Sequence, residues 1–216
     1  MAFYNNMGDK ITDGEGIASE LISFFKNLMG TTVFTNAPDV DIIQIGPCLS
    51  EEQASCISCP VSKEEIKKPV FSMSDNNASG PDGYSVAFYK SSWEIVGDEV
   101  TLAIEEFFKT GKLLGAVNST SITLIPMVQC PQNPSKFRSI SCCNSIYKFI
   151  SKILAKILQS VMGAIISEAQ SAFVKGRKIS SNILLAHELA KNYGRKHLSP
   201  RAMINIDIKK AFDSIS

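Results

Sequence analysis

An α+β fold, mainly helical, is the class the sequence predicts, and three patterns predict it. Ile146, Phe149, Ile150, Ile153, Leu154, Ile157, Leu158 and Val161 recur at helical spacing over about four turns, an unbroken apolar stripe. A second stripe, Ile95, Val96, Val100, Ile104, Phe107 and Phe108, is followed by Gly111, placed to end the helix, with Trp93 expected to pack nearby. Residues 121–125, Ser-Ile-Thr-Leu-Ile, alternate and are stopped by Pro126, as in a short strand.

The remaining elements follow in chain order. Ile17, Leu21, Phe24, Phe25 and Leu28 predict an amphipathic helix over residues 14–29. Residues 31–49 mix Thr, Pro, Asp and Gly without a period and are expected as a linker. Ser62 with Glu65 three residues on is a capping box, opening a short helix that Pro69 should kink or end early. Ser79-Gly-Pro-Asp-Gly83 is a dense turn signal. Residues 180–193 predict a helix capped by Ser180 or Ser181, with Ile183, Leu184, His187 and Ala190 toward its inner side and His187 packed rather than ligating.

Composition narrows the class of protein. No apolar run reaches the roughly 18 residues of a membrane span, and Met1–Gly8 lacks the basic-then-apolar grammar of a secretory signal, so an intracellular chain is expected. The six cysteines are irregularly spaced, as free thiols would be. Cys56 and Cys59 form a C-x-x-C, but no second pair exists and the two histidines, His187 and His197, are distant in sequence, so no zinc site is expected.

The net charge of +1 hides an asymmetry. Residues 1–109 carry 7 Lys and Arg against 17 Asp and Glu, whereas residues 110–216 carry 15 against 4. A basic half suits contact with phosphates, and it equally suits two halves of one fold attracting each other. Lys148, Lys152 and Lys156 stack at i, i+4 intervals away from the apolar stripe. Like charges at that spacing repel by a few tenths of a kcal/mol. They form either a solvated face or one that awaits a phosphate partner.

The closing segment alternates Ile204, Ile206 and Ile208 with Met203, Asn205 and Asp207. In a strand the isoleucines would enter the core and Asp207 would face the other way. A carboxylate so presented serves as a turn-former or as a catalytic acid; Asp213 equally suits a helix cap.

Seven blocks in order carry a resemblance: Gly80-Pro-Asp-Gly83, Ile122-Thr-Leu-Ile-Pro126, Phe137-Arg-Ser-Ile-Ser-Cys-Cys-Asn144, Tyr147-Lys-Phe-Ile-Ser-Lys-Ile-Leu154, Gln170-Ser-Ala-Phe-Val174 with Gly176-Arg177, Asn182-Ile-Leu-Leu-Ala-His-Glu188, and Ile206-Asp-Ile-Lys-Lys-Ala-Phe-Asp213. Together they resemble the reverse transcriptase of plant LINE-type (non-LTR) retrotransposons. The resemblance covers residues 60–216, a partial polymerase domain, and makes residues 1–59 a preceding helix-and-linker region.

The resemblance implies an incomplete right-hand polymerase: fingers and the first part of a palm. Asp207 matches the first metal-binding carboxylate, with the Ile208 backbone carbonyl as a further ligand of Mg2+. Phe212 matches the aromatic gate that selects deoxynucleotides. Arg138 matches the arginine that holds the incoming triphosphate, where a planar fork suits phosphate oxygens. An RNA template, a DNA primer and deoxynucleoside triphosphates are the implied partners, with Lys148, Lys152, Lys156 and Arg177 as candidate nucleic-acid contacts. A mobile element of this type would work in the nucleus.

Several positions depart from the family pattern. Met127 stands where Lys is usual, Ser79, Ser139 and Lys175 where Pro is usual, and Ser181 where Asp is usual. The later paired-aspartate block does not occur, since the sequence ends three residues after Asp213. Two-metal catalysis needs converging carboxylates, so inactivity of the isolated chain is expected. The alternatives are a non-catalytic nucleic-acid-binding module and a non-functional remnant of a decayed element.

Overall fold

The computed structural model describes residues 3–5, 7–30, 37, 39–191, 204 and 206, and shows a mixed α and β chain about half helical. The chain divides into two compact units, one joining Met1–Ala37 to Thr120–Cys143, the other joining Pro38–Ser119 to Asn144–Ile204. These units cut the chain differently from the sequence boundary at 59/60.

The first unit begins with a minimal antiparallel pair, β1 (Phe3–Tyr4) and β2 (Lys10–Ile11). Asn5 closes the turn between them, its side-chain oxygen accepting from the backbone N–H of Met7 at 2.9 Å and of Asp9 at 2.8 Å, an Asx turn. Helix α1 (Gly14–Gly30) follows, and the Asp13 carboxylate accepts from the Gly16 N–H at 2.6 Å. Such a bond satisfies one of the donors a helix start leaves open.

Strands β3 (Thr120–Pro126) and β4 (Phe137–Cys143) form an antiparallel hairpin in which Thr120 faces Cys143 and Pro126 faces Phe137. Pro126 closes the ladder without breaking it, since a proline lacking N–H is tolerated at a strand end. Phe3 is buried and its ring lies 6.4 Å from that of Phe137.

The second unit contains helices α2 (Val40–Ile45), α3 (Glu51–Ile57), α4 (Lys63–Ser72), α5 (Val86–Ser91), α6 (Trp93–Thr110), α7 (Ser145–Ile165) and α8 (Ile179–Lys191). Its core draws Ile66 and Val70 from α4, Val86 and Tyr89 from α5, Val100 and Ile104 from α6, and Phe149, Ile150 and Ile153 from α7. Tyr89 and Phe149 meet edge to face at 5.4 Å. Trp93 packs against this cluster, as expected. Gly111 ends α6 in the left-handed conformation at φ 67°, which a residue without Cβ adopts freely.

The capping box of α4 forms as the spacing predicts. Ser62 Oγ accepts from the Glu65 N–H, and a Glu65 carboxylate oxygen accepts from the Ser62 N–H at 3.0 Å and from its hydroxyl at 2.9 Å. These bonds hold the Glu65 carboxyl below its ordinary value of 4.5, with smaller contributions from Lys156 and Lys68. A lowered folded value means stabilisation that is complete above 4.5 and lost as pH falls through the folded value. Ser62→Ala removes the helix cap and is expected to cost about 1 kcal/mol at pH 7. Urea melts should show the gap to the unaltered chain narrowing in acid.

Several expectations are corrected. The linker over 31–49 contains α2, outside residues 31–36, which are not described. Pro69 does not end the helix early: α4 continues to Ser72, with Pro69 buried in its last turn. Ile95 is 82% exposed, because it lies one residue, about 100° of helix rotation, off the face set by Val96, Val100 and Ile104. Leu154 and Leu158 are likewise exposed at the margin of the α7 stripe.

Helix α8 buries none of its residues, so Ile183, Leu184 and Ala190 have no inner side there and His187 is exposed rather than packed. Ile204 and Ile206 are each 80% exposed and lie in no strand, against the expectation that they enter the core. Strand β4 was not anticipated. Its sequence, Phe-Arg-Ser-Ile-Ser-Cys-Cys, has too few large apolar residues to signal a strand, and pairing with β3 decides it.

Candidate functional site

Two sequence blocks separated by more than sixty residues meet at Asn144 in the second unit. The turn at Gly80–Gly83 closes through a bond from the Gly83 N–H to the Gly80 carbonyl at 3.1 Å, with Gly83 at φ 78°. Asn144 is 1% exposed and stands just before α7, where an asparagine would be read as a helix cap. Its side chain makes no cap bond.

That side chain instead ties two other stretches of the chain, at 116–119 and at Asp82, to the start of α7. The amide nitrogen donates to the Ala116 carbonyl at 2.9 Å, the Val117 carbonyl at 3.2 Å and the Ser119 hydroxyl at 3.2 Å. The amide oxygen accepts from the Asp82 N–H at 3.2 Å. Ser145, fully buried, donates its hydroxyl to the Tyr84 carbonyl at 2.7 Å. The Lys148 ammonium donates to the Ala78 carbonyl. The Gly-Pro-Asp-Gly turn is thus held on both flanks by residues that open α7. Sequence reading assigned no role to Asn144 or Ser145.

The other candidate residues stand as follows. Arg138 lies on β4 in the first unit, opposite Ile125, with an exposed guanidinium that bonds to no other described residue. Met127, where the family pattern has lysine, is half exposed and donates its N–H to the Lys136 carbonyl at 2.9 Å. Arg177 donates to the carbonyls of Ser167, Gln170 and Ile166, the last two at 2.7 Å and 2.9 Å, and so closes the loop between α7 and α8. Lys152 and Lys156 line a groove beside α4.

Asp207, Ile208 and Phe212 lie outside the described residues. Among the described residues no group of three or more His, Cys, Asp or Glu gathers, so they do not by themselves fit a divalent ion. All six cysteines are free thiols, and Cys59 donates to the Ser55 carbonyl at 3.3 Å. No described helix is long and apolar enough to cross a membrane.

Comparison with known proteins gives the class. Residues 129–216 match the family described as Reverse transcriptase (RNA-dependent DNA polymerase), a span that holds both Arg138 and Asp207. The chain contains part of a reverse transcriptase domain, with homology to non-LTR retrotransposon polyproteins.

Two relatives are more particular. The chain is 26% identical over 208 residues to the Transposon TX1 uncharacterized 149 kDa protein of Xenopus laevis, a match covering 96% of the chain and 16% of that protein. It is 25% identical over 161 residues to the Retrovirus-related Pol polyprotein from type-1 retrotransposable element R2 of Popillia japonica, covering 73% of the chain and 21% of that protein. The chain thus spans about a sixth to a fifth of the length of these relatives.

Proposed function

We propose that these 216 residues supply the fingers and the first part of the palm of a LINE-type reverse transcriptase from a plant non-LTR retrotransposon, acting in the nucleus. Residues 1–59 are the region that precedes the polymerase and residues 60–216 the polymerase part. The observation that carries the reading is that one family match, over residues 129–216, includes both the arginine and the aspartate blocks.

In this reading Arg138 offers its free fork to the triphosphate of a deoxynucleotide, and Phe212 screens the sugar. Asp207, with the Ile208 carbonyl, would hold magnesium, which would supply charge neutralisation at the transferring phosphoryl group. The RNA template and DNA primer are the polymeric partners. The 216 residues contribute one carboxylate block, and two-metal chemistry needs carboxylates converging from more than one.

The isolated chain is therefore expected to incorporate no deoxynucleotide on a primed RNA template with magnesium. Incorporation that Asp207→Asn abolishes would overturn that expectation. A second reading, a non-catalytic module that grips nucleic acid, is favoured by the lysines beside α4. Affinity for RNA that does not fall as salt rises would remove it.

A further inference from the structure

A groove with a cavity volume of about 440 Å3 runs between α4 and α7. Lys68 stands on one wall, Lys152 and Lys156 on the other, with Pro69 and Ala155 as apolar floor and Ser72 and Gln159 as further polar groups. Lys152 and Lys156 are one turn apart, about 6 Å along the helix. None of the three ammonium groups makes an ion pair or hydrogen bond among the described residues.

Among the described residues no acid lines the groove. The carboxylate of Glu65, which feels the charges of Lys156 and Lys68, is hydrogen-bonded to the backbone and hydroxyl of Ser62. Three cations are therefore held around one concavity, with mutual repulsion that an anion would relieve. No described aromatic side chain lines it either. Grooves that hold single strands combine positive charge with rings on which bases stack, whereas contacts made only by lysines read the phosphate backbone without regard to sequence.

We infer that the α4–α7 groove seats the sugar-phosphate backbone of a nucleic-acid duplex through Lys68, Lys152 and Lys156. The inference rests on the polymerase reading in taking nucleic acid as partner, and it adds where and in what form the polymer lies. The binding is sequence-independent and dominated by release of counterions.

The test is a salt titration of the 216-residue chain with a short RNA duplex, followed by fluorescence anisotropy, between about 50 and 200 mM salt. Changing all three lysines to glutamine should make the plot of log affinity against log salt shallower by about 0.9 per lysine. Lys156→Gln alone should give a third of that change. A charge-matched set, Lys175, Lys178 and Lys191 to glutamine, should leave the slope as it was.

Equal losses in the two triple variants, an unchanged slope in the groove triple, or tighter binding of the unpaired strand would each overturn the inference. Duplex binding blind to these lysines sinks the groove and leaves the polymerase reading intact. Primer extension by the chain bears on that reading and not on the groove.

Discussion

Asn144→Asp is expected to destabilise the second unit by about 3–5 kcal/mol at neutral pH, the usual cost of an uncompensated buried charge. The amide nitrogen of Asn144 faces two carbonyls and a hydroxyl. A carboxylate in its place sets negative oxygen against the carbonyls of Ala116 and Val117, and only the Asp82 N–H and the Ser119 hydroxyl can donate to it. Asn144→Ala removes the same bonds without adding charge and should cost less, about 2–3 kcal/mol.

The penalty of the aspartate should depend on pH with a definite sign. Burial beside carbonyls raises the folded pKa of the new carboxyl above its unfolded value of about 3.9. The folded state then binds the proton more tightly, so the charge penalty present at neutral pH shrinks as pH falls through the raised folded value. Chemical denaturation at pH 7 and near pH 4 measures it. A penalty flat in pH, or smaller than that of the alanine variant, would show that Asn144 does not hold the turn as described.

Gly80→Ala is the second large effect, about 3 kcal/mol or more, at the upper end of overpacking costs. A Cβ at Gly80 would lie 2.2 Å from Asn144 Oδ1, 2.4 Å from its backbone nitrogen and 2.6 Å from its Cα. Two of those atoms are backbone at the start of α7, so no rotamer change relieves the clash. The turn must instead move away, breaking the bond from Asp82 to Asn144. Pairing Gly80→Ala with Asn144→Ala removes only the contact with the side-chain oxygen, and so should not restore stability. A melt within about 1 kcal/mol of the unaltered chain would mean that the turn can shift freely.

The long helices were legible because apolar periodicity alone specifies them. α6 and α7 follow their stripes, and Gly111 and the Ser62–Glu65 box mark ends that form as written. What escaped depends on partners distant in the chain. β4 exists because β3 lies beside it, and Ile204 and Ile206 alternate without being buried. The clamp at Asn144 shows the same limit: beside a helix start, an asparagine reads as a cap, and nothing local reveals that its amide reaches Asp82 and Ala116 instead. Block order carried the family reading further than any local pattern, since Gly80 and Asn144 belong to separate blocks that meet in space.

Helix α8 has a physical consequence of its own. Ile183, Leu184, Leu185 and Leu189 are each more than half exposed, and no residue of its thirteen is buried. A helix of that length is marginal in water without a packed face. Its backbone N–H groups should therefore trade hydrogen for deuterium within the earliest times sampled, while those of Phe149 to Ile153, seated in the core, wait for the whole second unit to open.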